Sequence, residues 1–153
     1  MSRLSLRLPA VALALAAAAS PLIAAPVDVI RARIASYREL GAAFKGVNDG
    51  LRGRDVQTVL VSQYARQIAK AARGQYGWFP AGTGPQAGVR TLAKPEIWTR
   101  PAQFRAAQDA FARQAQLFQQ AAAGGNPAAI RAAARSLGGA CKSCHDSFRV
   151  SPD

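Results

Sequence analysis

The chain has 153 residues, with 20 Lys and Arg against 8 Asp and Glu, a formal charge of +12, and half of its residues hydrophobic. That length suits one core of ordinary domain size, and two cysteines are too few for a disulfide framework. The positive charge does not imply nucleic-acid binding, because the arginines are scattered instead of clustered. It can steer acidic partners or anionic surfaces.

Residues 1–24 read as a secretory signal peptide. Arg3 and Arg7 make a basic start, residues 8–19 are almost wholly apolar, and small residues continue through Ala25. The apolar run is too short to span a membrane, and Pro9 interrupts it. Cleavage after Ala19, Ala24 or Ala25 fits the pattern. Pro26 disfavours the last, so the boundary is placed after Ala24 and the folded domain at residues 25–153. Two of the 20 cations leave with the leader, so 18 against 8 acids give the mature chain +10. No membrane span is expected to remain.

Four helical segments follow. In the first, Ile30, Ile34, Tyr37, Gly41, Phe44 and Leu51 recur at helical spacing and mark an inward stripe. Gly50 and Gly53 break it. The second is expected from about Asp55, as a cap, to Arg73, with Val56, Leu60, Tyr64 and Ile68 inward. Gly74, Gly77 and Pro80 end it and open a long loop, residues 75–100. That loop carries Trp78, Phe79, Ile97 and Trp98, so it is expected to fold back on the bundle. The third helix starts near Pro101, and Phe104, Phe111 and Phe118 form a row every seven residues. Gly124-Gly125-Asn126-Pro127 supplies a stop, a cap and a new start. The fourth helix buries Ile130, Ala134, Leu137, Cys141, Cys144 and Phe148. With no strand pattern, the chain is expected to be all-α, an antiparallel four-helix bundle.

Near the C-terminus lies Cys141-Lys142-Ser143-Cys144-His145. CxxCH is the attachment sequence for a covalent c-type haem, its thiols bonded to the porphyrin and its imidazole ligating iron. On a helix, residues three and four apart share a face, so all three side chains reach one porphyrin edge. A zinc site would need a fourth ligand, and no other Cys or His exists. A redox CxxC belongs beside a βαβ pattern, which is absent. The cofactor expected is one haem c, with Cys141 and Cys144 as attachment points and His145 as the axial ligand.

These residues resemble the class II c-type cytochromes, including cytochrome c′: exported bundles whose CxxCH lies near the C-terminus. The resemblance rests on the CxxCH followed by Asp146, Phe148 and Arg149, on Lys94-Pro95-Glu96-Ile97-Trp98, on Phe104, and on Ile30-Arg31-Ala32-Arg33. It implies a periplasmic location, since haem is attached outside the inner membrane in bacteria. It also implies an Arg in helix one near the haem propionates, with the side chain four residues later facing the sixth iron position. Placing that Arg at Arg33 puts Tyr37 over the iron; the register with Arg38 would put Ala42 there. Trp98, Phe104 and Arg149 are further pocket candidates by the same resemblance, which leaves a homodimer open.

The sole Met is the initiator and the sole His is the axial ligand, so Met or a second His cannot occupy the sixth position. A five-coordinate, high-spin iron is expected, with Tyr37 beside it but not bonded. A low-spin carrier with Tyr37 or a Lys as sixth ligand is the alternative. Two roles stay open: one-electron transfer with an unidentified redox protein, and binding of a diatomic gas such as nitric oxide. An enzymatic role ranks below both, because no distal His supplies acid–base help.

Overall fold

The computed structural model describes residues 24–151, so the signal peptide and its cleavage point lie outside the described residues. The architecture is an antiparallel four-helix bundle with no strand among the described residues. The long helices are α1 (Pro26–Gly50), α2 (Thr58–Gly74), α4 (Pro101–Gly124) and α5 (Pro127–Phe148). A one-turn helix, α3 (Glu96–Thr99), and two 3-10 turns at Gln75–Gly77 and Pro85–Ala87 lie in the loop between α2 and α4.

The helix boundaries follow local chemistry. Pro26, Pro101 and Pro127 each open a helix, where a missing N–H costs nothing. The Asn126 side chain caps α5, accepting from the amides of Ala128 (2.9 Å) and Ala129 (3.2 Å). Gly125 stops α4 in a left-handed conformation at φ 70°. The expected cap at Asp55 is a correction: α2 begins three residues later, after Gln57, without a side-chain cap. Asp55 stays exposed in the turn.

The core lies between α2, α4 and α5, with the C-terminal half of α1 packed on it. Phe118, Ile130, Ile68, Leu137, Val47 and Val61 are fully buried, each contributing roughly 1.5–3 kcal/mol of burial. The seven-residue row of Phe104, Phe111 and Phe118 is inward throughout. On α2 the fully packed positions are Val61, Ala65, Ile68, Ala69 and Ala72, while Leu60 and Tyr64 are half-buried, as is Val56 in the turn before the helix. The core stripe is thus rotated one residue from the expected one. Gly46 lets the Tyr64 ring lie against α1, since a methyl there would overlap it.

On α1 the deepest positions are Ile30, Arg33, Ala43, Val47 and Gly50. The expected stripe of Ile34, Tyr37, Gly41 and Phe44 instead lines a cavity against α5. At one end α5 is tied to the turn after α1, where the Arg131 guanidinium donates to the carbonyls of Leu51 (3.3 Å) and Gly53 (2.9 Å). Farther along α5, Gly138 leaves room for the Phe44 ring.

The loop folds back, as its aromatics imply. Phe79, Trp98 and Ala93 pack against Ile97, Phe104 and Phe148. A short antiparallel bridge joins Ala93 to Arg149, with the Lys94 amide on the Phe148 carbonyl (3.0 Å) and the Val150 amide on the Leu92 carbonyl (2.8 Å). The loop is thereby tied to the last turn of α5.

Candidate functional site

At the end opposite Arg131, α1 and α5 separate around a mainly apolar cavity of about 820 Å³. This size falls within the roughly 300–1,000 Å³ usual for small-molecule sites. One wall is the last three turns of α5, which present Leu137, Cys141, Cys144, His145 and Phe148. The facing wall is α1, with Arg33, Ile34, Tyr37, Leu40, Gly41 and Phe44. Ile68, Phe104 and Phe111 close the inner end, and Phe79 with residues 91–93 of the loop closes the outer side.

Cys141, Cys144 and His145 lie within one turn and a third of α5, so the helix itself sets them on a common face. Burial pushes the Cys141 thiol up to about 11, helped by Cys144, and burial also raises Cys144. A redox CxxC works through a depressed thiol pKa, so this pair is unsuited to that chemistry. Burial, followed by the charge of Arg149, lowers the His145 pKa against the opposing pull of Asp146. The imidazole is therefore neutral near pH 7, the state that ligates a metal. Among the described residues no group of three or more His, Cys, Asp or Glu forms a metal site of its own. These features fit a planar apolar macrocycle that brings its own metal: two thiols and an imidazole on one wall, and aliphatic and aromatic side chains around them.

Arg33 looks like a solvated arginine in sequence, yet only 3% of it is exposed. Its guanidinium donates to the Trp78 carbonyl (3.2 Å), Thr83 Oγ1 (3.1 Å), the Thr83 carbonyl (2.9 Å) and Thr91 Oγ1 (3.4 Å). It also stacks over the Phe79 ring, 4.6 Å from the centroid. Every one of these partners is neutral, and burial lowers its pKa. The result is a buried cation without a countercharge, lining a cavity, and such a cation favours an anionic group on the occupant.

Tyr37 is half-buried on the α1 wall, its ring edge-on to Trp78 at 4.9 Å. Burial first, and then Cys144, push its phenol well above the ordinary tyrosine value, against the opposing effect of Arg33. Arg38 lines the mouth but is exposed, and Ala42 is exposed and off the wall. The inward arginine of α1 is therefore Arg33. Phe104 is on the wall and joins Phe79 (4.9 Å) and Phe148 (5.1 Å) in edge-on ring pairs. Arg149 lines the cavity one turn beyond His145. Trp98 does not line the cavity: it stands behind Phe79 at 6.1 Å, and its indole N–H donates to the Pro80 carbonyl (3.1 Å).

Sequence reasoning missed Thr83 and Thr91, which hold Arg33, and Gln75, which is buried. Gln75 and Gln108 exchange side-chain-to-carbonyl bonds at 3.2 Å each way and fix the start of the loop to α4. None of these positions carries a periodic signal. The polar Gln108 on the Phe-rich face of α4 was the one visible hint.

The pattern of the cytochrome c′ family matches residues 28–149. The chain is 30% identical over 127 residues to cytochrome c′ of Pararhodospirillum photometricum, covering 82% of this chain and 99% of that one. Among solved structures it resembles a cytochrome c′ with ligand-controlled dimer dissociation, at TM-score 0.76 and 28% identity over 82% of this chain and 97% of that one. It also resembles a nitric oxide complex of a variant cytochrome c prime from Alcaligenes xylosoxidans, at TM-score 0.75 and 25% identity over 84% and 98% of the two chains. The chain belongs to the cytochrome c′ family, whose members carry one covalently attached haem c.

Proposed function

We propose that this is a periplasmic haem protein that transfers single electrons and binds nitric oxide, and that it is not an enzyme. Cys141 and Cys144 would hold the haem through thioether bonds and His145 would ligate its iron, leaving a coordination position for an external ligand. The observation that carries this reading is one cavity with both thiols and the imidazole on its α5 wall. Its α1 wall offers no Met, His, Lys or carboxylate. When bound, the haem supplies an iron that exchanges one electron and presents a coordination position to a diatomic ligand.

The chain's own residues do the rest. α5 aims the neutral His145 imidazole into the cavity from the same turn that anchors the macrocycle. Arg33, held by the loop, would pair with the acidic propionates of the haem. Ile34, Leu40 and Phe44 keep the opposite face apolar and exclude water, so weakly binding anions gain nothing by entering. Tyr37 holds its proton and so contributes bulk and a hydrogen-bond donor. That wall carries no His or carboxylate, which leaves no acid–base help for turnover.

The low-spin alternative needs phenolate from Tyr37 or a lysine amine. Burial works against the phenolate, and no lysine lines the cavity. The similarity to a dimeric cytochrome c′ extends the expectation to a homodimer, which sedimentation would test. The functional test is the absorption spectrum of the ferric and ferrous holoprotein, with and without nitric oxide, for the wild type and Tyr37→Phe. High-spin spectra, unchanged by the substitution and shifted by nitric oxide, are expected. A low-spin ferric spectrum that Tyr37→Phe abolishes would establish tyrosinate ligation instead.

A further inference from the structure

The positive charge of this protein has a local concentration that the haem does not account for. Arg38, Arg90 and Arg149 line the cavity mouth, and all three are exposed. A second, shallower hollow of about 540 Å³ opens beside it, sharing Cys141, His145 and Arg149 and adding Lys94 and Lys142. Asp146 is the only acidic residue lining either opening, and it is engaged by Lys142 at 2.6 Å. Lys94 donates to the backbone carbonyl of Asp146 at 3.0 Å, which leaves its charge uncompensated.

None of Arg38, Arg90, Lys94 and Arg149 is in an ion pair among the described residues. Glu39, exposed beside Arg38, and Glu96, two residues beyond Lys94, are further acids close to these cations in sequence, and the cations still outnumber them. The buried Arg33 already stands ready for the haem's acidic edge, so the exposed rim keeps a net positive field around the opening. Charge concentrated at the rim of a low-dielectric cleft focuses that field outward.

We propose that this rim is the docking surface for an acidic electron-transfer protein, which meets the haem edge over Arg38, Arg90, Lys94 and Arg149. The proposal rests on the haem reading of the cavity. A protein fits the surface better than a lipid bilayer does, because the cations ring a concave opening. A flat anionic membrane would be met more readily by the straight ridge of Arg66, Lys70 and Arg73 along α2, whose sequence contains no acid.

The test is stopped-flow oxidation of the ferrous holoprotein by ferricyanide, an anionic probe, and by tris(phenanthroline)cobalt(III), a cationic one. Poly-L-glutamate serves as a competitor, and vesicles of phosphatidylglycerol and phosphatidylcholine serve as a membrane control. Field-steered rates change by about 10- to 1,000-fold and collapse with salt. Ferricyanide oxidation is therefore expected to slow at least about fivefold between low and high salt, and the cobalt reaction to quicken. In Arg38→Glu/Arg90→Glu the ferricyanide rate should drop by about tenfold at low salt, and poly-L-glutamate should no longer inhibit. Arg66→Glu/Arg73→Glu should leave both unchanged.

Four results would overturn the proposal. Salt-independent rates would do so, as would equal loss in the α2 variant. Vesicle binding abolished by Arg38→Glu/Arg90→Glu would assign the rim to a membrane. A rim variant whose absorption spectrum or midpoint potential changes at high salt would show these arginines to be haem partners instead. A chain that carries no haem at all would instead sink the functional reading, and its colourless preparation tells the two failures apart.

Discussion

The two ends of the bundle use the same four helices for opposite purposes. At the Arg131 end, a guanidinium on α5 clamps two carbonyls of the turn after α1, and the interior is filled with carbon: Phe118, Ile130 and Val47. At the His145 end the same two helices stand apart, and the wall is completed by a loop fastened through a buried arginine. The closed end is a self-sufficient core. The open end has a cation without a protein countercharge and an apolar wall shaped around an occupant, so its stability is bound up with what it holds.

This contrast can be broken most forcefully at the aromatic row of α4. Phe118→Ala at the closed end should cost about 3–5 kcal/mol, because a fully enclosed ring leaves a cavity that cannot collapse. Phe104→Ala at the open end should cost markedly less in urea unfolding of the holoprotein, since the loop packed on that ring can settle into part of the space. Equal losses would mean the two ends are packed alike.

Next is Arg33→Met, which keeps length but removes the charge and strands the Thr83 and Trp78 carbonyls. A charge-assisted bond contributes about 1.5–3 kcal/mol, and the expected loss is of that order. It should appear locally, as faster proteolysis within residues 75–91, while the closed end keeps its hydrogen-exchange protection. Arg33→Lys should restore little, because one ammonium cannot reproduce a fork that serves several acceptors.

Smaller again is Asn126→Ala, which removes the α5 cap at the closed end. A loss of about 1 kcal/mol is expected, with no change in the haem spectrum. A spectral change would show that the ends communicate along α5.

The smallest effect concerns Asp49, near the C-terminus of α1. Its hydrogen bond from Lys45 (2.6 Å) and the nearby Arg52 hold its pKa below the ordinary carboxylate value. The unfolded chain therefore takes up this proton first as pH falls. The contribution is present above about pH 3.9 and is lost as pH drops through the folded value. Wild type and Asp49→Asn should differ slightly near pH 6 and converge in acid. A gap that widens in acid would contradict the assignment.

What the sequence revealed and what it hid divide along the same line. Wherever the chain obeys a local rule, the reading held: Pro127 behind Asn126, Gly125 with positive φ, and the heptad of phenylalanines on α4. The α1 stripe through Ile34, Tyr37 and Phe44 was real too, but it marks the cavity wall, because periodicity detects apolar faces without telling core from pocket. Arg33 was singled out by family resemblance alone. Its burial is made by Thr83, Thr91 and the Trp78 carbonyl, brought from 45 to 58 residues away by an irregular loop. Trp98 misled for the same reason: an aromatic next to a pocket motif can stand one layer back. Asp55 failed as a cap because the turn after Gly53 extends to Gln57, whose amide bonds to the Gly50 carbonyl (3.0 Å), before α2 begins.

Denaturing acid–acetone extraction of the holoprotein, alongside Cys141→Ala/Cys144→Ala, tests the central claim most directly. Wild-type polypeptide should keep its haem absorbance after extraction, and the double variant should lose all of it to the solvent. Pigment that washes out of the wild type, or that stays with the variant, would contradict covalent attachment at these two thiols.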